Sequence, residues 1–159
     1  MLVNGVITNK SVGMKPRIEN PQQVEPKAYQ AMYGLESYVR QSDIDTIHLK
    51  LIKIRASQLN KCAFCIQMHT KEARQNGETE ERIYALNAWQ ESPYFTPEER
   101  AILALTEQVT FISEQQVTDE VYDEAVRLLG EKKVMQVIMA IATINSWNRI
   151  AISARVVPQ

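Results

Sequence analysis

The amino-acid sequence predicts an all-α protein, folded as a single compact domain of about seven helices. Apolar residues recur at intervals of three and four along most of the chain, which is the period of an amphipathic helix. No segment of strand length alternates strictly between apolar and polar residues. The chain also has only 5 glycines among 159 residues, which disfavours a turn-rich all-β protein.

The predicted domain covers residues 17–159, and a chain of 18.2 kDa is long enough to bury one core. We expect residues 1–16 to be a disordered N-terminal extension, because the sequence there lacks a helical period. The first helix begins at Pro26, a residue type favoured in a first helical turn. Its apolar positions follow at intervals of four, three and four: Ala28, Met32, Leu35 and Val39.

The second and third predicted helices meet at the two cysteines of the chain. The second has Ser42 and Asp45 as a capping pair and ends near Leu59-Asn60. Its apolar positions form a narrow stripe: Ile44, Ile47, Leu51 and Ile54. The third begins at Cys62 or Ala63 and covers residues up to 75, where Asn76-Gly77 stops it.

The fourth and fifth helices begin at threonines. The fourth begins at Thr79, passes through Trp89 and ends before Ser92-Pro93, because proline disfavours helical backbone in the residue before it. The fifth has Thr96 as N-cap, proline as its first residue and Glu99 as its third, which is a capping box, and covers residues up to 111.

The last two helices are predicted between residues 118 and 152. The sixth begins at Thr118-Asp119-Glu120 and ends at Gly130, and the seventh runs from Glu131 to Ile152. The seventh has the longest apolar pattern of the chain, formed by Val134, Val137, Ile138, Ile141, Ile144 and Ile150. Short connections between these helices favour antiparallel neighbours.

The charge balance excludes two classes of partner. Lys+Arg 18 against Asp+Glu 19 gives a net charge of -1, so no overall positive field attracts nucleic acid or an anionic membrane. The sequence contains neither a signal-peptide core nor an apolar run of membrane-spanning length. We therefore expect a cytoplasmic protein, and in that reducing compartment a close cysteine pair is typical of catalysis or metal binding.

Three residues in the third helix predict the chemistry. At about 100° per residue, Cys62, Cys65 and His69 project from one helical face within about 60°. The cysteines lie at the start of the helix, where unpaired backbone N–H groups and the helix dipole favour a thiolate. His69 lies one turn after Cys65 and can exchange a proton with it. A peroxide would oxidise one sulfur to a sulfenic acid, which the other sulfur would convert to a disulfide.

Other interpretations of the cysteine pair remain open at this point. Zinc would accept Cys62, Cys65 and His69 as three ligands, although the second ligand pair of a structural zinc site is missing. Covalent haem is excluded, because Ile66 occupies the position where histidine must follow the second cysteine. The pair can also be two buried cysteines that act as small apolar residues.

The segment Arg55–Ala73, with the sequence RASQLNKCAFCIQMHTKEA, resembles the core of the alkylhydroperoxidase D-like proteins of the carboxymuconolactone decarboxylase superfamily. Trp89 and the segments 99–107 (ERAILALTE) and 145–151 (NSWNRIA) support the resemblance, which extends over residues 17–155. The arrangement Cys-x-x-Cys-x-x-x-His is its most specific part.

The resemblance implies an alkylhydroperoxidase D-like helical fold, assembled as trimers or hexamers, that reduces hydroperoxides. Cys65 would attack the peroxide, Cys62 would resolve the intermediate, and His69 would move the proton. An external thiol or dithiol reductant would regenerate the pair. No cofactor is expected, because the sulfur pair itself transfers the electrons.

One residue departs from the family pattern. The proton relay of the family has a glutamate twelve residues before the first cysteine, where this chain has Lys50, which is cationic and cannot accept a proton at neutral pH. We take Glu107 as the candidate replacement, because it lies on an apolar helix face where a carboxylate needs a partner or a task. The alternative is a structural ion pair of Glu107 with Arg149 or Arg55.

Several other side chains have two possible roles. Aromatic residues would line a pocket for an organic peroxide or fill the core: Phe64, Trp89, Tyr94, Phe95 and Trp147. Asn145, Asn148 and Arg149 in the last helix indicate buried hydrogen bonding or a subunit contact. Lys53 and Lys132-Lys133 are interpreted as parts of solvated faces.

Lys50 also favours an alternative function, a redox-sensing or structural oligomer whose cysteine pair has little peroxidase turnover. A non-redox decarboxylase-like enzyme of the superfamily is a further alternative, but it offers no evident role for two cysteines.

Overall fold

A computed structural model describes residues 14–158, and within this range the chain forms eight α-helices, one 3-10 helix and no strand. The predicted all-α class is therefore confirmed. The α-helices are α1 (Pro21–Val24), α2 (Pro26–Arg40), α3 (Thr46–Leu59), α4 (Ala63–Gln75), α5 (Glu80–Ala85), α6 (Pro97–Thr110), α7 (Asp119–Leu129) and α8 (Glu131–Ala154), and the 3-10 helix is Leu86–Ala88.

Most of the predicted disordered extension, residues 1–13, lies outside the described residues. In the described part of the chain, no helix is both long and apolar enough to cross a membrane.

Local capping signals predicted several helix starts correctly. Thr79, Thr96 and Thr118 are N-caps whose side chains accept hydrogen bonds from the third residue of the helix, and Thr96 forms the complete capping box with Glu99. The start of α3 differs from the prediction. Asp45 is the N-cap and accepts from the Ile47 N–H at 2.7 Å.

Ser42 is not an N-cap, because it belongs to the turn that follows α2. The Ser42 hydroxyl donates to the carbonyl oxygen of Val39 at 2.7 Å. This hydroxyl is therefore bonded at the end of α2 and does not cap α3. The sequence also missed α1, because four residues are too few to show a helical period.

The predicted fourth helix is shorter than expected. Its α-helical part ends at Ala85 and continues only as the 3-10 helix Leu86–Ala88, although the prediction extended it through Trp89 to a point before Ser92. The guanidinium of Arg100 donates to three carbonyl oxygens of the following turn, those of Trp89, Gln90 and Ser92, at 2.7–3.2 Å. This side chain thereby satisfies backbone groups that no helix satisfies.

Helix α3 lies in the middle of the domain and packs against α4, α6 and α8. The sequence predicted a narrow apolar stripe on this helix, but seven consecutive residues, Leu51–Ser57, are buried. One core, which includes Ile52, Ile102 and Ile141, joins α3 to α6, α7 and α8. A second core, which includes Ile54, joins α3 to the helices α4, α5 and α6. Because α3 is surrounded, its polar residues must find partners inside the protein.

The interpretation of Lys53 as part of a solvated face is therefore wrong. Its relative exposure is 6%, and its ammonium group forms an ion pair with Glu36 of α2. The pattern alone did not reveal this, because the surrounding helices are distant in sequence. Lys132, in contrast, is exposed as expected and pairs with Asp43 at 2.6 Å.

The connection between α3 and α4 is a tight reversal. The N–H groups of Lys61 and Cys62 donate to the carbonyl oxygens of Gln58 and Ser57 at 3.1 and 2.9 Å, which is the hydrogen-bond pattern of a Schellman motif. Lys61 has the positive φ of 60° that this motif requires and that glycine usually supplies. Cys62 thus follows the end of α3 immediately and caps α4.

A buried amide network attaches this reversal to α8. The Nδ2 group of Asn60 donates to the Oδ1 atoms of Asn145 and Asn148 at 2.6 and 3.0 Å. Asn148 in turn donates to the Ser57 hydroxyl at 3.0 Å, and Asn145 donates to the Thr110 hydroxyl at 3.1 Å. The predicted buried hydrogen bonding of Asn145 and Asn148 is confirmed.

We expect the replacement Asn148→Ala to lower the free energy of unfolding by about 2 kcal/mol, because it removes partners of Ser57 and Asn60 in a buried site. Ser146→Ala is the matched control on the same helix: its hydroxyl bonds to the carbonyl oxygen of Ala142 within α8. Urea unfolding of both variants measures the difference. Equal stability of the two variants would contradict the importance of the network.

Candidate active site

The N-terminus of α4 presents the two cysteines. Cys62 is the N-cap and Cys65 is the third helical residue, and the two are joined as a disulfide with a Cα–Cα distance of 5.3 Å. Both side chains are 2% exposed and pack with Ala151 of α8. The Cys65 N–H points at the sulfur of Cys62 at 3.4 Å. The start of α4 thus places a backbone N–H group and the positive end of the helix dipole beside the cysteine pair.

His69 lies one turn after Cys65 on α4 and is buried, with 5% relative exposure. Its Nδ1 atom is 3.2 Å from Oε2 of Glu72, and the same carboxylate oxygen accepts from the Lys50 ammonium at 2.6 Å. Lys50, Glu72 and His69 thus form a continuous polar chain from α3 to α4. We call these three residues the relay chain.

The contacts of the relay chain shift the pKa values of Glu72 and His69. Its hydrogen bond to His69, together with that from Lys50, lowers the pKa of Glu72 to about 2, so the carboxylate is ionised at neutral pH. Burial lowers the pKa of His69, and this effect outweighs the hydrogen bond to Glu72, which raises it. His69 is therefore neutral at pH 7.

The ionised carboxylate also determines the tautomer of the imidazole. Because a carboxylate can only accept, Nδ1 of His69 must be the nitrogen that bears the hydrogen. Nε2 is then the unprotonated nitrogen, with a free lone pair for a proton. This arrangement is suitable for a general base.

A second ion pair lies beside the relay chain. Glu36 of α2 accepts a hydrogen bond from Lys53 of α3, and Arg40 is 3.5 Å from the same carboxylate. Burial raises the pKa of Glu36, but the hydrogen bond and charge of Lys53 outweigh it and hold that pKa below its ordinary value. The charge of Lys53 also lowers the pKa of His69, which further favours the neutral imidazole.

A cavity of about 540 Å³ opens in front of these groups. Cys65 and His69 line it, whereas Cys62 does not. Residues from α2, α3, α4 and α8 form most of the remaining wall: Tyr29, Tyr33, Glu36, Arg40, Thr46, Leu49, Lys50, Lys53, Phe64, Met68, Glu72, Asn76, Trp147, Ile150 and Ala151. Cys65 is thus the cysteine of the pair that borders the cavity.

The N-terminal segment closes one end of the cavity. Asn20, Pro21 and Gln22 line it, and the preceding residues are attached to the end of α8. The N–H groups of Arg17 and Ile18 donate to the carbonyl oxygen of Ala154 at 3.0 and 3.3 Å. The wall therefore includes a segment in which the sequence predicted no helix.

The structure brings together three of the four residues selected from the sequence, Cys62, Cys65 and His69. Glu107 is not among the residues that line the cavity. Its Oε1 atom accepts from Nε of Arg55 at 2.9 Å and from the Trp89 indole at 2.6 Å. Glu107 thus forms the ion pair with Arg55 that the sequence left open as an alternative.

Sequence reasoning missed Glu72, Glu36 and Lys53. Glu72 follows His69 by three residues, a spacing at which two helical side chains meet, so the sequence contained a local signal for it. The pair of Glu36 with Lys53 joins two helices, and only the packing of those helices reveals it.

The aromatic candidates divide between the two predicted roles. Phe64 and Trp147 line the cavity, whereas Trp89 and Phe95 belong to the second core. Tyr94 is 51% exposed.

For the described residues, no three His, Cys, Asp or Glu side chains are grouped so that they could hold a metal ion.

Two known proteins are similar to this chain over most of their own length. The uncharacterized protein YdfG of Bacillus subtilis (strain 168) is 45% identical over 131 residues, which are 82% of this chain and 89% of YdfG. ATU0492 from Agrobacterium tumefaciens, a protein of unknown function described as a candidate antioxidant defence protein AhpD, has 38% identity and a TM-score of 0.88. This match covers 91% of this chain and 99% of ATU0492.

More distant solved structures share the fold. The debrominase Bmp8, crystallised as a variant in complex with 2,3,4-tribromopyrrole, has 19% identity and a TM-score of 0.78, over 87% of this chain and 74% of Bmp8. A peroxidase-related protein from Ralstonia eutropha JMP134 with an alkylhydroperoxidase AhpD core has 15% identity and a TM-score of 0.77, over 95% of this chain and 80% of that one. At these identities the likeness concerns the fold alone.

The family comparison agrees with the motif and the fold. The model of the carboxymuconolactone decarboxylase family matches residues 26–108, which contain the cysteine pair, His69 and the relay chain. This match covers more than half of the chain, and YdfG and ATU0492 extend the similarity to most of its length. The chain therefore belongs to the carboxymuconolactone decarboxylase family, as one of its AhpD-like members.

Proposed function

We propose that the protein is a thiol-dependent hydroperoxide reductase that uses Cys65 as the attacking sulfur and Cys62 as the resolving sulfur. The observation that supports this most strongly is the asymmetry of the pair. Cys65 lines the cavity together with His69, whereas Cys62 lies outside the wall but within disulfide distance. The AhpD-like relatives belong to a family related to peroxidase function, which supports the class of reaction that we propose.

The first step forms a sulfenic acid. Nε2 of His69 takes the proton of the Cys65 thiol, and the Glu72 carboxylate stabilises the resulting imidazolium through Nδ1. The thiolate attacks the terminal oxygen of the hydroperoxide, so that an S–O bond forms while the O–O bond breaks. The alkoxide leaves and takes the proton from His69, which yields an alcohol and Cys65 as sulfenic acid.

The second step forms the disulfide. The Cys62 sulfur attacks the Cys65 sulfur, the S–S bond forms, and the S–O bond breaks. Hydroxide leaves and combines with the proton of the Cys62 thiol as water. The hydroperoxide has thus gained two electrons from the two thiols, and an external dithiol returns two electrons and two protons to the disulfide. The two sulfurs transfer the electrons in this proposal, so it requires no cofactor.

In this proposal the relay chain takes the place of the family glutamate. Lys50 occupies the position of that glutamate, but it donates to Glu72, and Glu72 contacts His69. A carboxylate therefore still orients the imidazole, and it comes from the helix of His69 rather than from α3. We assign Glu72 and Lys50 as positioning residues that act through His69.

The proposal also includes association of several copies of the chain. Helix α2 has a single fully buried residue, Val39, while Leu35 and Tyr38, three residues apart on one face, are 38% and 45% exposed. Exposed apolar residues on one helix face favour contact with another protein surface. The family resemblance implies a trimer or hexamer, and we propose α2 as part of the contact.

The cysteine roles predict different behaviour of two single variants. After exposure of the reduced protein to tert-butyl hydroperoxide, Cys62→Ser should accumulate a sulfenic acid on Cys65 that dimedone traps, and Cys65→Ser should give no adduct. Mass spectrometry of the labelled peptide assigns the site, because the chain has only 2 cysteines. An adduct in Cys65→Ser and none in Cys62→Ser would reverse the assignment. Adducts formed only over hours would favour the redox-sensing alternative.

The relay chain predicts the effect of Glu72→Gln. Because the Glu72 carboxylate raises the pKa of His69, its neutralisation should lower that pKa further and weaken the base. We expect the rate constant for Cys65 oxidation to fall about tenfold, and the loss of rate on the acid side to move to lower pH. Stopped-flow kinetics between pH 4 and 8 and NMR titration of the His69 imidazole measure the two effects.

Glu107→Gln is the comparison for this experiment, since Glu107 contacts Arg55 and Trp89. It should lower stability while the pKa of His69 stays unchanged. If Glu107→Gln moved the pH profile and Glu72→Gln did not, Glu107 would be the relay carboxylate.

The oligomer predicts a measurable effect of Leu35→Glu. Sedimentation velocity at micromolar concentration should give a mass of three or six chains for the wild type and a smaller species for Leu35→Glu, since a charge would then lie in an apolar contact. Tyr122→Glu on α7, which is 41% exposed, is the matched control and should keep the wild-type mass. A wild-type mass of one chain would refute the association.

A further inference from the structure

We propose that the cavity in front of Cys65 selects hydroperoxides that bear an aromatic ring, and that Tyr29, Tyr33 and Trp147 form the site for this ring. We call these three residues the ring site. This inference rests on the proposed function, because it specifies the class of substrate for the same reaction. It does not follow from that function alone, since the sulfur chemistry is the same for any hydroperoxide.

The size of the cavity fits an organic substrate. About 540 Å³ is within the range of pockets that enclose small organic ligands, of roughly 300–1,000 Å³. The reacting group of a hydroperoxide is only two oxygen atoms, so most of the wall contacts the remainder of the molecule. The nature of the wall at a distance from Cys65 therefore determines which hydroperoxide binds best.

The ring site provides three aromatic surfaces in different orientations. Tyr29 and Tyr33 have centroids 6.0 Å apart at an interplanar angle of 68°, and Trp147 lies 5.4 Å from Tyr29 and 5.7 Å from Tyr33 at 59° and 45°. All three line the cavity. Tilted and edge-to-face contacts are the arrangements that aromatic rings prefer, so the group can accept a further ring on its open side.

The ring site is held in place by groups from three elements. Tyr29 and Tyr33 are four residues apart on one face of α2, and Trp147 comes from α8. The Tyr33 hydroxyl donates to Oε1 of Gln22 at 3.1 Å, and Gln22 belongs to α1 at the closed end of the cavity. Rings that are oriented in advance lose little conformational entropy when a ligand binds.

The distance from the ring site to the reacting sulfur fits a short aromatic hydroperoxide. Ala151 packs against Cys62 and Cys65, and Trp147 precedes Ala151 by four residues on α8. Residues with this spacing are about 5–6 Å apart between their Cβ atoms. A ring in contact with Trp147 can therefore reach Cys65 with a peroxide that is one carbon atom away from the ring, as in cumene hydroperoxide.

The charged groups of the wall favour a neutral substrate. Lys50 is paired with Glu72, and Lys53 is paired with Glu36, which Arg40 also approaches. Each of these three cations of the wall thus already has a carboxylate partner. An anionic substrate would have to disrupt one of these pairs, whereas a neutral aromatic hydroperoxide leaves them intact.

The test compares two neutral hydroperoxides, cumene hydroperoxide and tert-butyl hydroperoxide, which differ mainly in the ring. For the wild type, kcat/KM should be higher for cumene hydroperoxide. In Trp147→Leu this preference, the ratio of the two kcat/KM values, should fall about tenfold, as expected for the loss of ring contacts. Trp147→Phe should retain most of the preference, because it keeps a ring.

Tyr84→Leu is the matched control. Tyr84 is 73% exposed on α5 and does not line this cavity, so its replacement should leave the preference unchanged. Urea unfolding identifies any loss of stability in Trp147→Leu, and Tyr29→Leu supplies an independent replacement within the ring site. An unchanged preference in both Trp147→Leu and Tyr29→Leu would overturn the proposal.

A binding experiment separates this inference from the proposed function. The unreactive alcohol 2-phenyl-2-propanol should change the tryptophan fluorescence of the wild type in a saturable manner, and tert-butanol should not; Trp147→Phe should lose the signal. Binding of the aromatic alcohol without turnover of either hydroperoxide would support the ring site and refute the peroxidase. Equal turnover of both hydroperoxides without binding of the alcohol would refute the ring site and leave the peroxidase intact.

Discussion

The amide group of Asn60 is the constraint on which the site depends. It lies where α3 ends, and its Nδ2 group donates to Ala56 of α3 and to Asn145 and Asn148 of α8. The chain then reverses through Lys61 in a left-handed conformation, and Cys62 caps α4 immediately afterwards. Because the end of α3 is attached to α8, the N-terminus of α4 is held against α8 as well. The position of the cysteine pair is thus determined by hydrogen bonds in the interior rather than by a surface loop, and the Cys65 N–H stays directed at the sulfur of Cys62.

The charges of the site are organised as two ion pairs that join helices. Lys50 and Lys53 both come from α3, and their carboxylate partners Glu72 and Glu36 come from α4 and α2. A cation at position 50 next to His69 would by itself make protonation of the imidazole less favourable, and burial acts in the same direction. Glu72 opposes both effects and directs Nδ1, while burial still holds the pKa of His69 below its ordinary value. Exchange of a carboxylate for a lysine on α3 is thus compatible with proton transfer, because a neighbouring helix supplies the carboxylate.

The sequence was sufficient for features that local interactions determine. The threonine N-caps, the capping box at Thr96 and the helical face shared by Cys62, Cys65 and His69 depend on residues within one turn of each other, and the structure has them all. Contacts between helices were harder to predict from the sequence. Lys53 looked like a solvated residue because lysine is rarely buried, and only the position of Glu36 on the adjacent helix explains its burial. Glu107 was recognised as a carboxylate in need of a partner, but the sequence did not distinguish an ion pair with Arg55 from a place in the relay.

These differences have one physical origin, the burial of α3 on all sides. Its polar residues Lys53, Arg55 and Ser57 have less than a tenth of their surface exposed, and each has a partner on another element: Glu36, Glu107 and Asn148. A buried ionic or polar group without its partner is costly, so these partners are determined once α3 occupies the centre. Glu107 therefore serves Arg55, on the side of α3 toward α6. The carboxylate that serves His69 must come from a helix that borders the cavity, and Glu72 on α4 meets that requirement. Residues of the same central helix thus both stabilise the fold and line the cavity beside Cys65.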